Sequence, residues 1–247
     1  MLRNNSGQQI ENEQAIFPLV SFDKAKKIFR CLGTGFFIHP TGWFITARHV
    51  VLDNSLNQYP MIMGVQSLQD GSHVNRIISL LGTHPTADIA IGALGIARDK
   101  MAKEVPYELA PMFNLSYKAL NKGEEIIAFG YPKTLRTEEG SKDTFHFMGK
   151  WAKGKIEEYF PDGAFTVKNR CYQTSMPIEA GASGGPVFIN NYAVGINSSG
   201  FDLFDGDEPL SFITPINLIS EINIQLTHGM TTPISALVKK HFFKVAF

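Results

Sequence analysis

The chain has 247 residues, and its 23 basic and 23 acidic side chains give a formal charge of zero at neutral pH. A balanced charge creates no summed field toward nucleic acid or anionic membrane, so we expect neither as a partner. Two cysteines, Cys31 and Cys171, are too few for a disulfide-rich scaffold or for a Cys-x-x-Cys zinc site. Whether they form one bridge is open from sequence.

The first fourteen residues are polar and lack the apolar core of a secretory signal. We expect this segment, 1–14, to be the part of the chain most prone to disorder. We expect residues 15–247 to form a single domain. No later segment approaches the roughly 20 apolar residues of a membrane span. These features predict a soluble protein in the cytoplasm.

Short β-rich runs separated by Pro, Gly and Asn turns follow along most of the chain. This spacing predicts an all-β sandwich or barrel. The turn residues 39–42 (His-Pro-Thr-Gly) lie between two such runs and indicate a hairpin over 35–46. The predicted strands are residues 35–39, 43–46, 61–66, 74–81, 89–94, 125–130, 164–168, 186–189 and 192–197.

The weakly periodic segment 97–123 indicates a crossing between two β halves, which we place at about 15–110 and 111–214. Beyond it, Thr214-Pro215 and Thr232-Pro233 each precede apolar residues spaced by three and four. A threonine N-cap followed by proline at the first helical position is typical of a helix start. We therefore expect helices within 215–247.

Ser183 lies among glycines in the stretch 179–186 (Glu-Ala-Gly-Ala-Ser-Gly-Gly-Pro). A serine that attacks a carbonyl generates an oxyanion, and the N–H groups of Gly181 and Ser183 in a tight turn could donate to it. The same pattern fits the nucleophile elbow of α/β-hydrolases, which needs a helix directly after the serine. Here two glycines and Pro186 follow, which disfavours that helix.

A serine hydroxyl is a poor nucleophile unless a neighbouring base, usually a histidine, removes its proton. That histidine in turn needs a carboxylate that orients its ring. His49 lies in the segment 46–51, which directly follows an apolar β run, whereas the other six histidines have no comparable flank. Asp88 precedes the apolar run 89–94, where a buried carboxylate requires a partner. Taken alone, Asp88 would be as readily a turn cap.

Four short motifs together resemble the trypsin-like serine peptidase family in kind and in order. They are residues 33–36 (Gly-Thr-Gly-Phe), 46–49 (Thr-Ala-Arg-His), 88–90 (Asp-Ile-Ala) and 181–186 (Gly-Ala-Ser-Gly-Gly-Pro). The looser segments 123–132 and 194–197 are similar to bacterial members, especially the high-temperature-requirement branch, without the peptide-binding domain of that branch. The similarity spans about residues 30–220.

The resemblance implies two six-stranded antiparallel β-barrels, packed with the active site between them and followed by a C-terminal helix or helices. It implies a serine endopeptidase acting through an acyl-enzyme. His49 would be the general base, Asp88 its orienting carboxylate and Ser183 the nucleophile. The amides of Gly181 and Ser183 would form the oxyanion hole.

The resemblance also implies a place for the substrate, which would be a protein or peptide. Its backbone would pair with the strand Ser198, Ser199 and Gly200. Pro177 and Ser211 would lie near the pocket for the side chain before the scissile bond. No acidic residue stands at the base of that pocket, which argues against strict preference for Lys or Arg. We interpret the acidic residues within 202–208 as a solvated loop.

Two positions depart from the digestive members of the family. Ala182 replaces the aspartate that pairs with a newly released N-terminus, so that activation switch is absent. Val50 replaces a disulfide cysteine, in agreement with an intracellular location. The enzyme would be constitutively competent, or activated when its loops are ordered by a regulatory protein partner.

Two other functions stay open from the sequence. One is a trypsin-fold binding module whose catalytic geometry is closed or lost. The other is an elbow-type esterase that uses carboxylates within 202–208 with His228 or His241. We expect no metal and no cofactor, because no His-Glu-x-x-His motif or clustered His/Cys spacing occurs.

Overall fold

The computed structural model describes residues 2–3, 9–68, 70–98, 104–105, 112–132, 134–139, 142–165, 167–201, 210–226 and 229–247. In the polar start, where we expected disorder, strands β1 (Leu2–Arg3) and β2 (Gln9–Ile10) pair antiparallel. Helix α1 (Asn12–Ala15) follows them. No helix in these described ranges is long and apolar enough to cross a membrane.

Six antiparallel strands close the first barrel in the order β3-β4-β5-β8-β7-β6. They are β3 (Ile16–Asp23), β4 (Ile28–Phe37), β5 (Trp43–Thr46), β6 (Ile62–Ser67), β7 (His73–Thr83) and β8 (Ala90–Leu94). The short helix α2 (Arg48–Val51) directly follows β5. It therefore lies at the rim of the barrel.

The interior of the first barrel is filled by aromatic rings. Phe17 packs at 4.5 Å from Phe37 and 5.7 Å from Phe44, between ring centroids. A Cβ at Gly64 would come within 2.9 Å of the Phe17 ring, so glycine makes the room for it. Each buried Phe side chain contributes about 1.5–3 kcal/mol relative to exposure, which makes these rings a main source of the stability of this barrel.

Between the barrels the chain forms the short antiparallel pair β9 (Ala97–Arg98) and β10 (Glu104–Val105) and then β11 (Asn114–Ser116). The amide of Phe113 donates to the Phe37 carbonyl at 3.0 Å. The crossing segment is thus tied to the first barrel before the second begins.

The second barrel is a ring in the order β12-β15-β16-β19-β18-β17, closed by the pairing of β17 with β12. A hairpin, β13 with β14, extends from it. The strands are β12 (Glu125–Gly130), β13 (Leu135–Glu139), β14 (Lys142–His146), β15 (Lys150–Phe160), β16 (Cys171–Thr174), β17 (Pro186–Ile189), β18 (Tyr192–Phe201) and β19 (Leu210–Pro215). Two six-stranded antiparallel barrels, as the resemblance implied, are confirmed.

The strand that we predicted at residues 164–168 is wrong. Residue 166 lies outside the described residues, and Ala164 and Val167 on either side form a single isolated bridge. Phe165 has a φ of 53°, which is incompatible with extended backbone. The segment has residue types that favour strands, but it lies in the connection between β15 and β16, where the chain has to reverse direction.

The C-terminal region holds the expected helices in short form. A 3₁₀-helix, Ile216–Glu221, is followed by β20 (Asn223–Gln225), β21 (Thr231–Pro233), α3 (Ile234–Lys239) and β22 (Val245–Ala246). The predicted threonine caps are wrong: Pro215 and Pro233 themselves occupy the N-cap positions, without a side-chain cap. Each proline ends a strand, so the preceding threonine is still extended.

One apolar core continues across the two barrels. Phe113, Phe129 and Phe188 belong to the same buried cluster as the rings of the first barrel. The Tyr131 hydroxyl donates to the Ile16 carbonyl at 2.7 Å within this contact. The continuous core fixes the barrels against each other, and the cleft described next lies between them.

Candidate active site

His49 and Asp88 form a hydrogen-bonded pair at the rim of the first barrel. His49 Nδ1 lies 2.9 Å from Asp88 Oδ2 and 3.0 Å from Oδ1. The backbone N–H of His49 donates to Asp88 Oδ1 at 3.0 Å. Helix α2 carries the histidine and the loop before β8 carries the aspartate. The imidazole is therefore held from both its ring and its backbone, with its Nε2 side left for another partner.

Asp88 makes two further hydrogen bonds, both with residues of the second half of the chain. The Ser198 hydroxyl donates to Asp88 Oδ2 at 2.5 Å, and the Asp88 amide donates to Asn169 Oδ1 at 3.2 Å. Burial raises the pKa of Asp88, but hydrogen bonds and the charge of His49, together with Ser198, lower it further than burial raises it. The carboxylate is thus ionised at neutral pH.

The pKa of His49 is raised above its ordinary value. Burial acts in the opposite direction, because it disfavours the imidazolium. The hydrogen bond from His49 to Asp88 and the carboxylate charge outweigh that effect. The pair thus stabilises a protonated His49, which is what a base needs once it has accepted a proton.

Ser183 lies on a tight turn that packs against the first barrel through its backbone. The Thr34 amide donates to the Ser183 carbonyl at 2.8 Å, and the Thr34 hydroxyl donates to the Gly181 carbonyl at 2.9 Å. Asn197 holds the other side, since its carbonyl accepts the Gly184 amide at 2.8 Å. These three hydrogen bonds fix two peptide units of the turn, 181–182 and 183–184.

Within the part of the chain that the structure describes, the amides of Gly181 and Ser183 donate no hydrogen bond. Gly181 has a φ of 92°, which glycine adopts without strain. In the same described ranges no hydrogen bond joins His49 to Ser183. Catalytic hydrogen bonds are often long before substrate binds, so this geometry does not remove Ser183 as a nucleophile.

A cleft of about 760 Å³ brings the three predicted residues together, because His49, Asp88 and Ser183 all line it. Ser198, Ser199 and Gly200 line it as well. In β18, Ser199 and Gly200 pair with β19 on one side only, and Ser198 is a bulge residue in this pairing, while the pairing of β17 with β18 ends at Ile196. The other backbone edge of this segment faces the cleft.

Two of the predicted substrate contacts, Pro177 and Ser211, lie beside the cleft wall. Pro177 lines a separate cavity of about 250 Å³, and its neighbour Ile178 lines the cleft instead. Ser211 is fully buried, and its Oγ accepts the Ile178 amide at 3.1 Å. Pro177 and Ser211 therefore adjoin Ile178 in the cleft wall without lining the cleft themselves, and their contact with substrate stays a prediction.

Thr34 and Asn169 were not assigned a role from the sequence. Thr34 lies inside the motif 33–36, which could have drawn attention to it. Asn169 contacts Asp88 over a separation of 81 residues, and no local pattern marks it. Ser198 was assigned to substrate backbone, whereas its side chain is bonded to Asp88.

The alternative of a nucleophile elbow conflicts with the structure. Residues 186–189 after Ser183 form strand β17, where an elbow requires a helix. Of its other expected members, His228 and the acidic residues within 202–208 lie outside the described residues. His241 lies after α3 and does not line the cleft that contains Ser183.

Cys31 and Cys171 are free thiols. Burial raises the pKa of Cys31, and it raises that of Cys171 to about 11. Since the thiolate is the reactive form, neither cysteine competes with Ser183 as a nucleophile at neutral pH.

Several curated proteins are similar to this chain over about 79% of its length. A protein named probable periplasmic serine endoprotease DegP-like from Pseudomonas putida (strain W619) is 30% identical over 201 residues. One of the same name from Bartonella henselae is 26% identical over 195 residues, or 78% of this chain. The chain spans about a third of the length of these relatives, 34% and 33%.

Solved structures show the same fold at low sequence identity. The HtrA-type protease AlgW with a decapeptide matches with a TM-score of 0.58 and 20% identity, covering 83% of this chain and 62% of that one. The Rv3671c protease from M. tuberculosis, active form, matches with a TM-score of 0.55 and 18% identity, covering 84% and 78%.

The prediction of a cytoplasmic location is contradicted by these comparisons. It rested on the polar start of the chain and on Val50 in place of a disulfide cysteine. The similar proteins are named periplasmic, across Pseudomonas and Bartonella.

The two barrels, the cleft between them and the order of His49, Asp88 and Ser183 agree with one family. The trypsin-like peptidase domain matches residues 33–196, which is most of the chain and includes all three side chains. This chain belongs to the trypsin-like peptidase family.

Proposed function

We propose that this protein is a serine endopeptidase that cleaves peptide bonds through an acyl-enzyme. The observation that carries the proposal is the His49–Asp88 pair, bonded at 2.9 and 3.0 Å, in the cleft that Ser183 also lines. The relatives named serine endoproteases support the same reaction. Their names also favour a periplasmic location for this chain.

In the proposed mechanism, His49 Nε2 takes the hydroxyl proton while Ser183 Oγ attacks the substrate carbonyl. The negative charge on the carbonyl oxygen is stabilised by the free amides of Gly181 and Ser183. His49 then gives the proton to the leaving amine, and water repeats the sequence to release the acyl group. Asp88 stays ionised throughout and keeps the Nδ1 proton in place.

The proposed substrate is an extended peptide. Its backbone pairs with the open edge of Ser198, Ser199 and Gly200, by addition of a strand. The similar HtrA-type protease AlgW, solved with a decapeptide, supports this substrate class. Ile178 in the cleft wall favours an apolar side chain before the scissile bond over a charged one.

A catalytically silent binding module is the second candidate, favoured by the missing hydrogen bond between His49 and Ser183 in the described structure. A fluorophosphonate probe separates the two, since it phosphonylates only an activated serine. We expect the wild-type protein to be labelled at Ser183 and Ser183→Ala to be unlabelled. Ser72→Ala, an exposed turn serine, is the matched control and should label normally. No labelling of the wild type would favour the module, whereas labelling that persists unchanged in Ser183→Ala would show that Ser183 is not the activated serine.

The raised pKa of His49 predicts a specific pH dependence of hydrolysis. Only the deprotonated imidazole acts as base, and kcat/KM reports the pKa of the free enzyme. Because the shift is upward from an ordinary value of about 6.5, activity should be incomplete at pH 6.5 and rise above it. The test is kcat/KM against a peptide substrate from pH 5 to 9. A midpoint below 6.5 contradicts the proposed pairing.

A further inference from the structure

His84 is a buried histidine, 5% exposed, in the loop that carries Asp88. Its Nδ1 accepts two backbone amides, from Thr86 at 3.2 Å and from Ala87 at 2.8 Å. These are the two residues immediately before Asp88. A ring nitrogen that accepts carries no proton, so the His84 proton is on Nε2.

The Nε2 side of His84 connects this loop to the second half of the molecule. It donates to Glu221 Oε2 at 3.2 Å, and Glu221 Oε1 accepts from Arg170 Nη2 at 2.8 Å. Arg170 adjoins Asn169, whose side chain accepts the Asp88 amide. The two ends of the Asp88 loop are thus anchored on one connected set of polar side chains.

The backbone of the loop is closed around the same histidine. The His84 amide donates to the Ile89 carbonyl at 3.0 Å, which joins the two ends of the loop. Arg48 Nη1 donates to the carbonyls of His84 and Pro85, at 3.0 and 2.6 Å. Arg48 directly precedes His49 in α2, so the loop and the helix that hold the proposed pair are also bonded to each other.

We propose that His84 is a positioning residue for Asp88, because its ring fixes the two amides that precede the carboxylate. The proposal rests on the proposed function for its catalytic consequence. A shift of Asp88 by about 1 Å would disturb its bonds to His49 and Ser198, and misplacements of that size can lower rates by about 10²-fold. His84 touches neither substrate nor the proposed nucleophile, and it acts only through Asp88.

Two substitutions separate the role of Nδ1 from simple packing. In His84→Asn the Oδ1 atom is as many bonds from the backbone as Nδ1 is in histidine, and asparagine commonly accepts amides two and three residues on. His84→Leu keeps an apolar volume and removes the acceptor. His73→Leu is the matched control, since His73 lies exposed on β7.

The first readout does not require catalysis. In the Ser183→Ala background, the titration of His49 followed by NMR reports its contact with Asp88, because that contact raises the His49 pKa. We expect His84→Leu to lower this titration midpoint, while His84→Asn and His73→Leu leave it unchanged. An unchanged midpoint in His84→Leu, or an equal fall in the asparagine variant, overturns the proposal.

The second readout is steady-state hydrolysis with Ser183 present. We expect His84→Leu to lower kcat by about 10- to 100-fold with KM within about twofold, and His84→Asn to restore kcat to within a few-fold. Equal losses in both variants, or a loss confined to KM, contradict positioning. If the wild-type chain hydrolyses nothing, the proposed function fails, whereas the His49 titration still decides the role of His84.

Discussion

We expect Asp88→Asn to lower kcat by about 10⁴-fold, with KM little changed. The carboxylate accepts from His49 Nδ1 and from the His49 backbone amide. An asparagine amide can instead donate to Nδ1, which moves the imidazole proton to Nε2. His49 would then be the wrong tautomer to accept the proton of Ser183.

The same substitution should also shift the acid limb of the pH profile of kcat/KM for the activity that remains. Asp88 raises the pKa of His49 through a hydrogen bond and through its charge. Asparagine retains no charge, so the midpoint of kcat/KM should move to lower pH. The low rate that remains can be measured with an activated ester substrate, on enzyme whose active-site concentration has been titrated. Asp70→Asn, which changes an exposed turn carboxylate that accepts the Ser72 amide, should alter neither rate nor midpoint. A loss of less than about tenfold in Asp88→Asn would show that His49 is oriented by other contacts.

The three residues that share the cleft could be predicted to meet because each stands in a recognisable local setting. His49 follows β5, Asp88 precedes β8, and Ser183 is surrounded by glycines that allow close backbone approach. The side chains that hold them could not be found in this way. His84 reaches Glu221 across 137 residues and Asn169 reaches Asp88 across 81. Such contacts depend on how the barrels pack, which no window of sequence contains.

The strands show a similar division. Strand β5 and the strand after Ser183 were predicted with their observed bounds, because apolar runs there end at clear turn residues. Strand β15 was missed because its residues are charged and half-exposed, so it lacks a simple alternation. Strand β3 was missed for the opposite reason: its first six residues are all buried, as expected where both faces are covered.

Gly184→Ala should destabilise the protein by about 3 kcal/mol or more, and it should abolish probe labelling of Ser183. Gly184 has a φ of 82°. A Cβ there would lie 2.3 Å from the Thr34 carbonyl oxygen and 2.3 Å from Thr46 Oγ1. Backbone cannot move aside as the end of a side chain can, so the turn that carries Ser183 must separate from the first barrel.

Gly123→Ala isolates the part of this effect that comes from backbone strain. Gly123 has a similar φ of 86°, but a Cβ there would meet nothing within 4 Å. It should cost only about 1 kcal/mol and leave labelling intact. Urea unfolding midpoints and probe-labelling rates of the two variants give the comparison. The Thr34 amide also binds the Ser183 carbonyl. A much larger loss of stability in Gly184→Ala than in Gly123→Ala would therefore mean that contact with the first barrel shapes the turn that carries Ser183. Equal costs in the two variants would mean that the turn holds its geometry without that contact.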